Sequence, residues 1–297
     1  MSTLVLLVIC ISFGALLRAK YSGHASLNTW ARNWVIWIAL PAMILRELPR
    51  MTFDINALWL FSVGIAVFVG AMVSIGVFGK LRSWSKAEIA AMILCAGLGN
   101  TSFVGLPVMR LVFGESAVGP ALVVDQSSFV ALALGGTTIA AWGAGKTLSV
   151  RQAAERILLF PPTVAALSSL ALAHVGLAPF ESYLDDTLYA IAQTLSPIAL
   201  FAVGLQFTGF RWNKPEQLAV GLTWKLVLAP LVILGFAALT QTQDPIRAIG
   251  ILQAGMPPMV TAAIVAESEG LEPELASQMV VTGLLAATLT LTAFSFL

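Results

Sequence analysis

The stretch "AGLGNTSFVGLPVMRLVFG", from Ala96 to Gly114, lies where an apolar helix would be expected to run without interruption. It contains four glycines and one proline, which weaken helices, and an Asn-Thr-Ser trio whose polar groups hydrocarbon cannot satisfy. A chain that places these residues in the middle of a membrane helix needs a reason for the break. We therefore take this break as the first candidate for a functional site.

The composition indicates the medium in which the chain folds. Of its 297 residues, 58% are hydrophobic and only 10% are charged, and the mean hydropathy is +0.90. In soluble domains about a quarter of the residues are charged, so the sequence predicts an integral membrane protein in contact with the lipid bilayer. The net charge of +1 gives no indication of nucleic-acid binding, and Cys10 and Cys95 lack the spacing of a metal or redox site.

Ten apolar runs are long enough to be membrane helices, since crossing a bilayer takes about 20 apolar residues. The predicted segments are 2–20, 31–48, 57–79, 86–110, 117–143, 157–177, 186–207, 217–239, 245–267 and 273–296. The first segment differs from a signal peptide because its basic residues, Arg18 and Lys20, follow the apolar run and none precedes it. The sequence therefore predicts an all-α polytopic membrane protein with ten transmembrane helices.

Basic residues concentrate on one side of the predicted segments, which is the side that normally faces the cytoplasm. If the N-terminus is outside, the cytoplasmic side holds Arg18, Lys20, Arg32, Lys80, Arg82, Lys86, Lys146, Arg151, Arg156, Arg211 and Lys214. The outer side holds only Arg46, Arg50, Arg110 and Arg247. We therefore expect a protein of the cytoplasmic (inner) membrane with both termini extracytoplasmic.

The two halves of the chain match along most of their length at a constant offset of 156 residues. This offset aligns Ser12 with Ser168, Pro41 with Pro197, Gly79 with Gly235, Gly99 with Gly255 and Gly114 with Gly270. Each half, 1–145 and 146–297, contains five predicted helices, so the second half enters the membrane from the opposite side. The sequence thus predicts two inverted five-helix repeats, an arrangement found in many secondary transporters.

The opening stretch lies in helix 4, and its repeat partner, "ILQAGMPPMVTAAIVAESEG" from Ile251 to Gly270, lies in helix 9. Paired interruptions at matching positions of two repeats are the best sequence indication of a transporter's binding site. An interrupted helix is tolerated at this depth when the interruption is buried in protein or lines a water-filled cavity. The backbone N–H groups that the interruption frees can bind an anion. We expect the two breaks to meet near the bilayer midplane, with the Asn100 amide and unpaired backbone N–H groups facing one cavity.

These motifs resemble the auxin efflux carrier family, which includes plant PIN proteins and bacterial carriers for malonate, malate and related acids. The resemblance is carried by "GNTSFVGLPVMRLVFG", by the following "DQSSF" and by "AGMPPMVTAAIVAESEG" in the second half. It implies that helices 4 and 9 cross at the substrate, with a scaffold of helices 1, 2, 6 and 7 and a transport domain of helices 3–5 and 8–10. It also implies homodimers and elevator-like movement. The short link from Lys146 to Arg156 is typical of a compact bacterial member rather than of a plant PIN.

Residues around the two breaks form the predicted substrate site. They are Gly99, Asn100, Thr101, Ser102, Gly105, Pro107, Gln253, Gly255, Pro257 and Pro258. Asn100 matches the crossover asparagine of the family, and its amide is expected to donate to a substrate carboxylate; an ordinary interhelical hydrogen bond is the alternative. Thr101 and Ser102 are weaker candidates because small hydroxyls often bond to their own helix, and the prolines could be simple kinks.

Asp125 and Lys225 are the charged residues most clearly inside predicted helices, and ionisable residues within membranes are functional candidates. Each lies roughly 12 Å from the nearer helix end, at a rise of about 1.5 Å per residue. We predict that they couple transport, with Lys225 as an internal cation that neutralises Asp125 or a bound anion. The alternatives are a Lys225 that reaches back to the cytoplasmic interface and a hydrated, purely structural Asp125 beside "QSS".

The predicted function is secondary transport of a small organic anion, a mono- or dicarboxylate. One alternative is a sodium-coupled symporter of the bile-acid type, which acidic and amide ligands at the crossing would favour; another is a membrane receptor without transport. An enzyme is not predicted, because no nucleophile paired with a base and no metal-ligand cluster is visible in the sequence. No cofactor or metal site is predicted either.

Overall fold

Helices form nearly all the regular structure in the described part of the chain. The structure, a computed structural model, describes residues 2–50, 54–146, 159, 161–205 and 213–294. The first eight α-helices within these ranges are α1 (Ser2–Lys20), α2 (His24–Trp34), α3 (Leu40–Glu47), α4 (Ile55–Leu81), α5 (Lys86–Gly97), α6 (Leu106–Phe113), α7 (Val118–Ala131) and α8 (Thr137–Gly143). The next eight are α9 (Pro161–His174), α10 (Ser182–Gln193), α11 (Leu195–Gly204), α12 (Pro215–Thr223), α13 (Ala229–Thr240), α14 (Ile246–Ala254), α15 (Val260–Ser268) and α16 (Pro273–Phe294).

Several of these helices are joined by π-helical turns rather than by loops. The π turns in the described ranges are Val35–Ala39, Thr101–Gly105, Leu132–Gly136 and Trp224–Leu228, and short 3₁₀ turns cover Leu48–Arg50 and Glu115–Ala117. A π turn accommodates an extra residue and re-aims the side chains around it, and such turns are frequent at functional sites. Two of them contain residues singled out from the sequence, Thr101 and Lys225.

Among the described residues, many large apolar side chains are exposed and few charged side chains are buried. Four stretches in the described part are long and apolar enough to cross a membrane: Ile55–Leu81, Glu115–Gly143, Pro215–Thr240 and Pro273–Leu291. Leu239 and Leu289 are 86% and 77% exposed, whereas Asp125 and Lys225 are 0% and 1% exposed. Exposed leucines around buried charges suit hydrocarbon as the surrounding solvent, so the chain is a polytopic integral membrane protein.

Contacts divide the chain into two compact units, each drawing on both sequence halves. The first comprises the described residues of 1–52, 102–122 and 158–207. In this unit α1 packs along α11, and α3 packs against α9 and α10. Gly14 lets α1 approach closely, because a Cβ added there would overlap the Phe201 carbonyl oxygen. The Phe13 and Phe201 rings stack beside it with their centroids 5.7 Å apart.

An ion-pair cluster closes one end of the first unit. Arg46 Nε lies 3.1 Å and Arg50 Nη2 lies 2.5 Å from Asp185 Oδ1. Burial alone raises the pKa of Asp185, but hydrogen bonds and charges from the two arginines outweigh it and lower that pKa below its ordinary value. The predicted topology places all three residues on the extracytoplasmic side.

The predicted seventh segment, 186–207, is not one helix. Helix α10 begins earlier, at Ser182, and ends at Gln193, and α11 starts anew at Leu195. Pro197 explains the break, because it has no N–H to donate to the Gln193 carbonyl one turn back. Thr194 fills the gap: its hydroxyl donates to the Ile191 carbonyl at 2.7 Å and accepts from the Trp34 indole N–H at 2.9 Å.

The second unit comprises the described residues of 53–101, 123–157 and 208–297, and α5 is at its centre. This helix packs on α4, α8, α12, α15 and α16 and is buried from Ile89 to Gly97. It begins at a capping box, in which the Glu88 N–H donates to Ser85 Oγ at 3.1 Å and the Ser85 N–H donates to the Glu88 carboxylate at 2.7 Å. A capped helix that is buried from Ile89 onward gives the second unit a fixed axis for the break that follows.

Ion pairs join helix ends of the second unit that the predicted topology places on the cytoplasmic side. They are Lys214–Glu88 (2.9 Å), Lys214–Glu272 (2.8 Å), Lys146–Glu269 (2.7 Å) and Arg82–Glu216 (2.6 Å). Arg151, Arg156 and Arg211, which the topology prediction also used, lie outside the described residues, as do the predicted segment ends at 157, 207 and 296. The ten spans, the inverted repeats and the division into scaffold and transport domains stay predictions.

Two glycines that the sequence offset matches have the same backbone role. Gly114 follows α6 with φ +82°, and Gly270 follows α15 with φ +72°. Both values lie in the left-handed region that favours glycine, so each residue ends its helix without steric strain.

Candidate functional site

Helices α5 and α14 end where two extended segments of the second unit cross. The Asn100 N–H donates to the Pro257 carbonyl at 2.7 Å, and the Met259 N–H donates to the Leu98 carbonyl at 2.9 Å. These bonds form an antiparallel bridge between Gly99 and Pro258. The two sequence breaks therefore meet and hold each other.

The bridge corrects one expectation about this crossing. The sequence suggested that backbone N–H groups released by the breaks would be unpaired, but those of Asn100 and Met259 are used between the two segments. Because prolines have no N–H, Pro257 and Pro258 add no donors that would need partners. Most of the capacity to bind a ligand here thus falls to side chains.

Lys225 lies directly against the crossing. Its Nζ donates to the Ala254 carbonyl, the last of α14, at 2.8 Å, and the residue is 1% exposed. A Cβ on Gly99 would lie 2.9 Å from this nitrogen, so a larger residue there would require the ammonium group to shift. The side chain therefore does not reach back to the cytoplasmic interface, and that alternative is wrong for this conformation.

No carboxylate in the described part of the chain forms an ion pair with Lys225. An ammonium group has three N–H donors, and only the bond to Ala254 uses one of them here. A buried cation with unused donors is costly unless a further acceptor is present. Of the two predicted ways of neutralising Lys225, pairing with Asp125 is not seen.

Asp125 is held by the other π turn of the crossing. The Thr101 hydroxyl donates to Asp125 Oδ1 at 2.6 Å, and the two residues are 2% and 0% exposed. The hydroxyls of Ser127 and Ser128 donate instead to the Val124 carbonyl, at 2.8 and 3.0 Å. The polar "QSS" run thus turns its serine hydroxyls toward its own helix.

Thr101 and Lys225 line one small cavity. Its walls are formed by Val63, Gly64, Val67, Gly97, Gly99, Thr101, Val124, Ser128, Lys225, Gln253 and Ala254. The space open to the centre of a water-sized sphere is about 10 Å³, which is close to the minimum for one water molecule. A carboxylate of several heavy atoms does not fit, so the crossing is closed around its polar groups in this conformation.

The structure divides the predicted substrate-site residues between the units. Gly99, Asn100, Thr101, Gln253, Gly255, Pro257 and Pro258, together with Asp125 and Lys225, belong to the second unit. Ser102, Gly105 and Pro107 belong to the first unit. Asn100 and Gln253, the two amides nearest the breaks, are 4% and 1% exposed.

Several residues that line the cavity were not singled out from the sequence, and Ser128 and Gly64 are two of them. Ser128 lines it from α7, and Gly64 lines it from α4. A Cβ on Gly64 would overlap Ser127 Oγ, so this glycine permits close packing of α4 on α7. A glycine inside an otherwise apolar helix is a weak signal, and Ser128 was considered only as part of "DQSSF". The offset of 156 pairs these two residues with Val220 and Leu284, which share no feature with them.

A family model described as membrane transport protein matches residues 1–295. The chain belongs to this family, the auxin efflux carriers. A Rhizobium meliloti protein named "Putative malonate transporter" is 26% identical over 283 residues, covering 90% of this chain and 86% of that protein. An uncharacterized transporter of Escherichia coli K12, YfdV, is 26% identical over 251 residues, covering 80% of this chain and 77% of that protein. The family and these relatives indicate membrane transport rather than enzymatic activity.

Proposed function

We propose that the protein is a secondary active transporter of a small organic anion, a mono- or dicarboxylate, across the cytoplasmic membrane. The observation that carries the proposal is Lys225, a buried ammonium group at a helix crossing that no carboxylate of the described chain neutralises. Fixed positive charge beside a broken backbone suits an anionic cargo, and intramembrane charges commonly mark substrate paths. The name of the Rhizobium relative supports malonate as the first substrate to test.

In this proposal the amide of Asn100 donates to a substrate carboxylate, and Thr101, Ser102 and Gln253 add further polar contacts. The glycines and prolines around the breaks keep the backbone close to the cargo. Lys225 and Asp125 are the coupling residues, and the positive charge of Lys225 neutralises the bound carboxylate. Charge-assisted hydrogen bonds of this kind contribute about 1.5 to 3 kcal/mol each.

A carboxylate can reach these groups only after a conformational change, because the cavity of about 10 Å³ admits little more than a water molecule. We propose elevator-like alternating access by a homodimer. The moving part consists of the predicted transmembrane segments 3–5 (57–79, 86–110 and 117–143) and 8–10 (217–239, 245–267 and 273–296). Ion pairs such as Lys214–Glu88 and Lys146–Glu269 support this, since they tie helices of the second unit into one body. They also support the proposed topology, which places all four residues at the cytoplasmic ends of their helices and both chain termini outside.

A thermal-shift screen of short carboxylates on the purified protein tests the substrate class. A ligand that binds only the folded state raises the apparent melting temperature, so malonate or a close relative should raise it with increasing concentration. Asn100→Ala should lose most of the shift. Asn56→Ala, at the exposed start of α4, is the matched control and should keep it.

Counterflow of radiolabelled malonate into proteoliposomes then separates a carrier from a receptor. Preloading the liposomes with unlabelled substrate should accelerate label uptake in wild type and not in protein-free liposomes. Binding without counterflow would instead identify a receptor. The absence of any shift across mono- and dicarboxylates would refute the organic-anion proposal.

A further inference from the structure

The cavity that Lys225 lines is also bordered by side chains that carry oxygen atoms. Lys225 Nζ is bonded to the Ala254 carbonyl at 2.8 Å, and the cavity beside it is also lined by Thr101, Ser128 and Gln253. Each of these side chains carries an oxygen. Carbonyl, hydroxyl and amide oxygens are the ligands that hard metal cations prefer.

The electrostatics of the crossing also favour a cation. Helices α5 and α14 both end here, at Gly97 and Ala254, so the negative ends of two helix dipoles converge on the cavity. Asp125, wholly buried and bonded to the cavity residue Thr101, adds a carboxylate one hydrogen bond away. In the described residues, the buried charged side chains are Asp125 and Lys225.

We propose that the Lys225 ammonium is a cation built into the chain, which fills an oxygen-lined site that would otherwise hold a small monovalent metal ion. The cavity next to Nζ is of the size of one water molecule or one such ion. Gly99 leaves room for this arrangement, because a Cβ there would lie 2.9 Å from Nζ and the ammonium group would have to shift. A tethered cation keeps the charge of the crossing constant without an exchangeable ion.

This inference concerns the crossing itself and does not depend on a carboxylate cargo. One consequence does rest on the proposed function: the wild-type carrier should bind and move its substrate equally well in sodium and in sodium-free salt. The experiment below contains no carboxylate substrate. Its outcome therefore decides the cation proposal even if the organic-anion proposal fails.

The test is to remove the built-in cation and ask whether sodium replaces it. Lys225→Ala removes the charge and opens space, whereas Lys225→Met removes the charge and refills most of the space with an apolar side chain. Each protein is unfolded thermally in detergent at pH 8, in sodium chloride or in choline chloride of equal ionic strength, and followed by tryptophan fluorescence.

Sodium should raise the melting temperature of Lys225→Ala over that in choline by about 3 to 6 °C when it is tenfold above its Kd. Wild type and Lys225→Met should differ by less than about 1 °C between the salts, because the ammonium group of wild type repels sodium and the methionine side chain occupies most of the space. Lys80→Ala, which removes an exposed lysine from the same unit, should also show no difference. Adding Ser128→Ala to Lys225→Ala should reduce the sodium effect, because it removes one lining oxygen.

Equal melting temperatures of Lys225→Ala in sodium and choline overturn the proposal, and so does an equal sodium effect in Lys225→Met. If Lys225→Ala yields no folded protein in choline but folds in sodium, the proposal stands. If Lys225→Ala and Lys225→Ser both fail to fold in sodium while Lys225→Met folds, the site does not accept the ion and the proposal is wrong.

Discussion

Thr101→Val tests the hydrogen bond that anchors Asp125 at the crossing. The substitution keeps nearly the same shape and removes only the hydroxyl that donates to Asp125 Oδ1 at 2.6 Å. Both residues are buried, and valine leaves no more room than threonine for a water molecule that could replace the lost donor. A hydrogen bond to a charged group contributes about 1.5 to 3 kcal/mol, which corresponds to a fall of about 3 to 12 °C in the melting temperature at about 2 to 4 °C per kcal/mol.

Thr101→Ser is the matched control, because it keeps the hydroxyl and loses one methyl group, at a cost of about 1 kcal/mol. Thermal unfolding of the three purified proteins, followed by tryptophan fluorescence, gives the comparison. We expect the order wild type, Ser variant, Val variant. A Val variant as stable as the Ser variant would mean that the bond to Asp125 is energetically unimportant and that Asp125 is held by other groups.

Three further predictions concern packing, pH and topology. Gly283→Ala should destabilise the protein by about 1 to 3 kcal/mol, since the new methyl would overlap Pro258 at the crossing; a denaturation midpoint equal to that of wild type would show that α16 can shift freely. Because the folded pKa of Asp185 is lowered, its stabilising effect should be present above about pH 4 and lost below it. Wild type should accordingly lose more stability between pH 5 and pH 3 than Asp185→Asn, and parallel curves would contradict this. A cysteine added at either terminus should react with an impermeant maleimide on intact cells, whereas protection of both would reverse the proposed topology.

The break in helix 4 could be predicted because its signals are local. Glycines, a proline and an Asn-Thr-Ser trio cannot continue a membrane helix cheaply, and the structure ends α5 at Gly97 as these residues suggest. Asp125 and Lys225 could be singled out for a similar reason, since a charge inside an apolar run is visible in the sequence alone.

The pairing of the two breaks through Asn100 and Met259 could not be read from the sequence, because it depends on how two distant segments approach each other. The break at Thr194 was not predicted, although Pro197 lies inside the predicted segment 186–207 and its missing N–H opens the preceding turn. The closed state of the cavity depends on side-chain packing around Gly64 and Ser128, which no local pattern encodes.

The most direct test of the proposed substrate site is isothermal calorimetry of malonate binding to wild type and Asn100→Ala in detergent. If the Asn100 amide donates to a substrate carboxylate, its removal should weaken binding by roughly tenfold to a hundredfold, the equivalent of one charge-assisted hydrogen bond. The variant should still be folded, because the backbone bridge through the Asn100 N–H does not require the side chain. Unchanged affinity in a folded Asn100→Ala would contradict the account and place the substrate away from the helix crossing.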